Sequence, residues 1–426
     1  MLQKRLKSIF QKSFIRNVLL LVTGTAGAQL ITVLVSPIIT RLYGPEAFGI
    51  MGTFSAIANI IIPIAALTYP VAIVLPKKDN EAKTLIKLSI SISMVLSIIS
   101  LFIIMLFHNQ ITNIFNLTSI SNFLYLIPMV FIFAGFMQSA KQWLIRTNQF
   151  SINAKANFYQ SVIINSSKVG IGLFYPAASV LVVLTTMING IRAFIMIAYS
   201  KSFNIFFQRT KSGGEKNIGK TAKKYMDFPL YRAPESLLTG ISHGMPVLML
   251  TAFFGPASAG FYNVGRNVLS LPTQLIGEAV GDVFYPKIAT DHRNQIKITK
   301  HIQKATLALA GIGIVPYGIV ILFGPFLFSL VFGEEWVMAG EYARWIALWS
   351  FSNFINKPST KSLAVLNAQM YHLMYTVFGL IVRIGVLLIG FYIFKSDLVA
   401  VALFGSAGAI LNVGLITVAL FLSRKR

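Results

Sequence analysis

Long apolar runs separated by short polar segments set the pattern of this chain. The run LIKLSISISMVLSIISLFIIMLF (85–107) contains a single ionisable side chain, Lys87. An α-helix needs about 20 mostly apolar residues to cross a bilayer. Twelve segments meet that measure: 18–40, 49–75, 85–107, 122–140, 157–175, 178–200, 229–253, 258–285, 305–331, 341–362, 372–394 and 398–422. Membrane-spanning β-strands are about ten residues long and alternate in polarity, which these continuous runs do not. The pattern predicts an all-α polytopic membrane protein with about 12 transmembrane helices.

Composition agrees. Hydrophobic residues make up 55% of the chain, charged residues 12%, and mean hydropathy is +0.70. A soluble domain carries about twice that charged fraction. The basic start (Lys4, Arg5, Lys7, Lys12), the run VLLLV and Ala26-Gly27-Ala28 imitate a signal peptide. The apolar run continues to Thr40, however, and is read as an uncleaved first span. The net charge of +24 would point to nucleic acid in a soluble protein. Here its distribution gives another reading. With the N-terminus inside, about 29 of the 37 Lys+Arg fall on the inner side, and Arg41 and Lys395 alone on the outer. The positive-inside rule then places both termini in the cytoplasm, with no nucleic-acid partner. Cysteine is absent, the five His are scattered, and no nucleotide-binding fingerprint occurs. No cofactor or metal is expected.

The two halves echo each other. TRLYGPEAFGI (40–50) aligns with TAFFGPASAGF (251–261), and VLPKK (74–78) with FYPKI (284–288), at nearly the same offset. An offset near half the chain describes six duplicated helices, and six is even, so the copies enter the membrane in parallel. The expected organisation is an N-terminal six-helix bundle (1–200), a basic cytoplasmic linker (201–228) lying on anionic headgroups, and a C-terminal six-helix bundle (229–426). Gly44-Pro45 and Gly255-Pro256 mark equivalent outer corners. Arg41 stands either to pair with Glu46 or to meet a phosphate emerging at the outer mouth.

The first corner also carries a resemblance. Pro37, Thr40, Arg41, Leu42, Tyr43, Gly44, Pro45, Glu46, Phe48, Gly49 and Phe54 form the pattern PxxTRLYGPExFGxxxxF. With the basic N-terminus and twelve spans, it resembles the Wzx-type polysaccharide flippases, which export O-antigen and capsule units. These belong to the multidrug/oligosaccharidyl-lipid/polysaccharide exporter superfamily. The resemblance implies two bundles around a central cavity that opens alternately inward and outward. It also implies a substrate, an undecaprenyl-pyrophosphate-linked oligosaccharide, moved to the periplasmic leaflet of the bacterial inner membrane. Membrane lipids and other polysaccharide assembly proteins would be its partners.

Ionisable residues at membrane depth are costly and usually face a cavity. Six cations fall within or near spans: Lys168, Arg192, Arg232, Arg266, Arg344 and Arg383. Only Glu235, Glu278 and Asp282 accompany them, so cations remain to meet an anion such as pyrophosphate. Arg binds phosphate oxygens bidentately. By depth, Arg266 and Arg383 lead, followed by Arg192 and Lys168; Arg232 and Arg344 lie close enough to an interface to snorkel. The competing reading for each is a structural ion pair or headgroup contact. Glu278 shares a helix face with Asp282; burial raises a carboxylate's pKa, so Glu278 and Glu235 are candidates for ion coupling, while Asp282 near the inner end is read as pairing with a loop Lys. Pro63, Pro70, Pro246, Pro272, Pro316 and Pro325 are candidate kinks. Tyr43, Trp143, Trp336 and Trp345 are expected in interfacial belts; Trp345 or Tyr262 could instead stack on sugar.

Three other functions compete. A multidrug exporter of organic cations calls for excess acids inside the membrane. A lipid II flippase usually carries two further helices and Arg in its first two spans. A membrane glycosyltransferase or polymerase presents catalytic carboxylates or a sizeable soluble loop. The sequence favours a non-enzymatic flippase.

Overall fold

The computed structural model describes residues 26–425 except 115, 201–204, 207–217, 278–279, 281–283, 286–287, 292–293, 296 and 367. Glu278, Asp282, the basic N-terminus and most of the 201–228 segment lie outside the described residues. Within them all regular structure is helical and no strand occurs.

The first half holds α1 (Ala26–Leu42), α2 (Pro45–Ile61), α3 (Asp79–Ile114), α4 (Ile127–Arg146), α5 (Phe150–Gly172) and α6 (Ala178–Tyr199). A short α7 (Ile218–Lys224) leads to α8 (Ala233–Phe254) and α9 (Pro256–Pro272). The chain ends in α10 (Thr299–Phe332), α11 (Val337–Ile355), α12 (Lys357–Val365), α13 (Gln369–Tyr392) and α14 (Asp397–Lys425). A helix stands at each of the twelve predicted positions. Among the described residues, eight are long and apolar enough to cross a membrane by length and composition. Helices α5 and α11 carry more polar side chains. The protein is an all-α, multi-pass membrane protein.

Two predicted spans are not continuous. The segment 49–75 leaves the α-helix at Ile61, then passes through 3-10 turns at Ile62–Ile64 and Tyr69–Val74. Pro63 and Pro70 each remove a backbone donor there. Leu67 and Thr68 between them are left-handed, at φ 47° and 57°, a conformation unfavourable for a β-branched residue. Side chains hold the break in place. Gln138 donates to the Ile62 carbonyl, the Thr68 hydroxyl to that of Phe228 (2.8 Å) and the Tyr69 hydroxyl to that of Ala222 (3.1 Å). The segment 341–362 divides into α11 and α12 at Asn356, just before Pro358. Pro246, Pro316 and Pro325 instead sit inside helices that continue.

Backbone contacts group the described residues into two units. One contains the chain up to Tyr43 together with Ile50–Leu248; the other contains Gly44–Gly49 and Met249 onward. The division falls inside α8 rather than in the basic segment before it. Gly240 and Gly244 let the first half of α8 lie directly on the α2 backbone at Ala56, Asn59 and Ile60.

In the first unit α4 packs on α3 and α6, around a core containing Phe54, Ile120, Leu124, Phe131 and Val182. Arg146, at the end of α4, fixes the turn before α3. It bonds Asp79 (2.9 Å) and the carbonyls of Ile73 and Pro76 (3.2 and 2.7 Å). Nearby, Lys224 bonds Glu81 at 2.5 Å, and that carboxylate raises the lysine's pKa above its ordinary value.

In the second unit α11 packs between α10 and α14, and α13 on α14. Its tightest contact is reciprocal. A Cβ added to Gly49 would lie 1.6 Å from the Pro256 carbonyl oxygen, and one added to Gly260 would lie 2.1 Å from that of Pro45. Each GPxxxG segment thus rests its last glycine under the other's proline. Gly255, with φ 91°, makes the corner itself and has open space around its α-carbon.

Gly49→Ala and Gly260→Ala are therefore expected to destabilise the protein by about 1–3 kcal/mol or more, the usual range for overpacking. Gly255→Ala meets no neighbour and should cost only the strain of its backbone, φ 91° and ψ 173°, a region essentially reserved for glycine, about 1–3 kcal/mol. Thermal unfolding in detergent reads these losses; equal melting temperatures for Gly260→Ala and the parent protein would contradict them.

Candidate functional site: a cation–aromatic cluster

Two of the predicted cations converge in the second unit. Tyr262 and Arg266 are one turn apart on α9, and Arg383 comes from the middle of α13. Tyr262 is 1% exposed, and its hydroxyl is buried without a hydrogen-bond partner among the described residues. The Arg383 guanidinium lies 5.6 Å from the ring centre of Trp349 on α11 and 5.9 Å from that of Phe404 on α14. The two rings meet edge-on at 5.6 Å, and Phe404 meets Tyr262 the same way at 6.2 Å. The charge of Arg383 also reaches Tyr375, whose hydroxyl donates to the Leu411 carbonyl (2.7 Å).

The chemistry of this cluster is that of a held, under-committed cation. Ring faces attract a guanidinium through their quadrupole but accept none of its five N–H groups in full hydrogen bonds. The Arg383 Nε is buried and unbonded. No carboxylate lies within ion-pair distance of Arg383 among the described residues. Such a group is ready to bond an oxyanion.

The first unit keeps its two cations apart. Arg192 on α6 donates to the Asn153 side chain on α5 at 3.0 Å, and its Nε is likewise buried and unbonded. Lys141 on α4 is close enough for its charge to act with that of Arg192. Lys168 lies about four turns from Asn153 along α5. Its ammonium meets the Met51 sulfur at 3.8 Å, while its backbone carbonyl accepts from the Tyr43 hydroxyl (2.9 Å). Between α1 and α5 runs a polar seam in which the Asn165 amide reaches Thr32 and Ser161.

The remaining candidates fall elsewhere. Arg344 is structural: it bonds Glu341 at 3.2 Å and donates to the Ile321 carbonyl at 2.9 Å. Pro325 lacks the N–H that would have bonded that carbonyl. Glu235 and Arg232 are exposed and form no ion pair with each other. Arg41 and Glu46 are both exposed. The belt expectation is corrected for Tyr43, Trp143 and Trp336, at 0%, 6% and 1% exposed. Each is packed inside its unit; Trp336 meets Phe48 and Phe261 edge-on. Trp345 is exposed.

A helical protein with an intramembrane cation cluster has known relatives. The polysaccharide biosynthesis protein family matches residues 38–341. The chain belongs to this family. No curated protein sequence matches. Among solved structures, the lipid II flippase MurJ in an inward closed conformation superposes with a TM-score of 0.75 at 13% identity, covering 94% of this chain and 87% of that one. A multidrug-resistance MATE transporter of the MOP superfamily, inward-facing, gives 0.71 at 13% identity, covering 93% and 96%. A MOP-superfamily transporter from Pyrococcus furiosus gives 0.61 at 13% identity, covering 97% and 95%. It is described as having a binding pocket of reverse polarity that suggests a different function. These likenesses give the family's chain a MOP transporter fold.

Sequence reasoning missed Trp349, Phe404 and Lys141. Trp349 was detectable: it stands one turn beyond Trp345, and a second aromatic at that spacing shares its helix face. Phe404 is one of 34 phenylalanines, and nothing local sets it apart.

The site cations and the structural ones differ in what their removal should do. Arg383→Met gives up two ring contacts and relieves a buried unbonded Nε, so stability should change by no more than about 1 kcal/mol. Arg146→Met strands several carbonyls and should cost about 1–3 kcal/mol. Thermal unfolding of both variants in detergent tests the contrast, which a large loss in Arg383→Met would abolish.

Proposed function

We propose that the protein is a flippase. It moves an undecaprenyl-pyrophosphate-linked oligosaccharide from the cytoplasmic to the periplasmic leaflet of the bacterial inner membrane by alternating access, for O-antigen, capsule or a related surface polysaccharide. The observation that carries this reading is Arg383 seated on the rings of Trp349 and Phe404 rather than beside a carboxylate, with Phe404 in turn against Tyr262, one turn of α9 from Arg266. A pyrophosphate offers the oxygens that a guanidinium fork binds, and aromatic faces suit sugar rings. Family membership supports a role in polysaccharide biosynthesis. The excess of Lys and Arg on one side of the spans supports cytoplasmic termini. In this reading Lys168 and Arg192 are further anion contacts, Glu278 and Glu235 are the coupling candidates, and the Gly44-Pro45 and Gly255-Pro256 corners with Arg41 and Glu46 shape the outer mouth.

A second reading, export of organic cations, draws on the fold shared with the MATE transporter. The cluster argues against it, because two guanidinium groups repel a cation where a ring cage alone would attract one.

Arg266→Ala and Arg383→Ala should each lower export about tenfold or more, the worth of one charge-assisted hydrogen bond of about 1.5–3 kcal/mol. Surface polysaccharide and the lipid-linked unit left on the cytoplasmic leaflet are measured together, at matched protein levels in the membrane. Unchanged surface polysaccharide in both variants would sink the assignment. Resistance to cationic drugs that falls in their place would favour the second reading.

A further inference from the structure

A groove of about 840 Å³ opens where α13 begins and α14 ends, lined by Tyr371, Thr417, Val418, Phe421 and Leu422 with Arg424 at its end. The apolar stretch of α13 starts at Met370 and that of α14 stops at Arg424, so the groove lies at headgroup depth. Its shape has a local cause. One turn deeper, the Tyr375 hydroxyl bonds the Leu411 carbonyl, and a Cβ on Gly414 would lie 2.3 Å from that hydroxyl. The two helices are clamped there and part beyond it. The outer wall is also anchored, because the Thr299 hydroxyl donates to the Ser423 carbonyl at 2.9 Å.

Arg424 is exposed and meets no carboxylate among the described residues. Tyr371 and Phe421 are 61% and 57% exposed, giving the walls an aromatic, apolar character. A single cation closing a short apolar channel at the membrane interface is complementary to one ligand chemistry: a phosphodiester bearing an alkyl chain. From Thr417 to Arg424 the channel runs about 10 Å. That length holds the upper part of an acyl chain and offers nothing to select a long polyprenyl tail.

We propose that this groove binds one anionic glycerophospholipid, with its phosphate at Arg424 and the first part of an acyl chain along Val418, Phe421 and Leu422. The site includes neither Arg266 nor Arg383 and does not depend on the transported substrate.

Phosphatidylglycerol and phosphatidylcholine are the probes, added to the detergent-purified full-length protein and followed by native mass spectrometry. The parent protein should retain one phosphatidylglycerol in preference to phosphatidylcholine. Arg424→Gln should reduce that preference about fivefold, the equivalent of about 1 kcal/mol for one cation at an anionic surface. Val418→Trp, which fills the channel, should lose retention of both lipids. Thermal unfolding in lipid-free detergent verifies that each variant is folded, and Leu422→Trp is the substitute filler if Val418→Trp is not. Retention unchanged in Arg424→Gln, where Lys425 and Arg426 remain, would mean diffuse attraction by the basic terminus and would overturn the site. So would co-purification of a polyprenyl phosphate, rather than a phospholipid, that the filler variant displaces.

Discussion

Two backbones approach here more closely than any side chain would allow, and the second unit is organised around that approach. Gly49 lies under the Pro256 carbonyl and Gly260 under that of Pro45. Proline at the first turn of α2 and α9 loses nothing, since its missing N–H would have been unbonded anyway. It does fix φ, so the helix direction is set within a residue or two of each corner. A glycine four positions later removes the only atom that would hold the helices apart. The repeat of GPxxxG is therefore more than a trace of duplication: each copy is the other's packing surface. It also explains why Gly44–Gly49 belongs with the second unit while the rest of α2 belongs with the first. The shared contact ends after one turn.

From that corner α9 carries Tyr262 and Arg266 onward, about half a turn and about one and two-thirds turns beyond Gly260 by helix geometry. The site follows from the constraint. Tyr262 is fully buried between α9, α11 and α14 and has a fixed orientation, with Phe404 edge-on to it. Arg383 is held by rings, and its buried Nε has no hydrogen-bond partner among the described residues. Arg146 and Arg344 show the opposite use of the same side chain. Both satisfy carbonyls that a turn or a proline has left without a partner, and both have an acid beside them. Within one chain, the partner set rather than the residue type separates a structural arginine from one available to a ligand.

Helix positions were legible because the bilayer imposes a length and a polarity that composition alone reveals. The breaks were less so. Pro63 and Pro70 interrupt their span, whereas Pro246, Pro316 and Pro325 do not. The difference lies in partners distant in sequence: Gln138 donates to the opened Ile62 carbonyl, the Thr68 and Tyr69 hydroxyls anchor the break to the carbonyls of Phe228 and Ala222, and Arg344 covers the gap below Pro325. For the same reason the aromatic residues misled. Tyr43 and Trp336 stand at span ends, where a belt is expected, yet Gly172 leaves room for the Tyr43 ring and Trp336 packs edge-on against Phe48 and Phe261. Arg266 and Arg383 could be picked out as intramembrane cations, but only the fold brings Arg383 onto the rings of Trp349 and Phe404.

Helix polarity carries one more piece of information. Among the described residues, α5 and α11 fall short of a plain apolar span although they run to 23 and 19 residues. They hold Ser161 and Asn165, whose side chains reach Thr32, then Lys168, and Trp349 beside the Ser352–Asn412 hydrogen bond of 3.0 Å. By contrast α3, α10 and α13 are strongly apolar and expose rows of large aliphatic side chains. Surface in contact with lipid tails gains nothing from polarity, whereas helices that enclose polar groups must supply hydrogen-bond partners for them. Low apolarity in a predicted span is then a positive signal that picks out α5 and α11, but it does not find Arg383 or Arg192, which stand on the apolar helices α13 and α6.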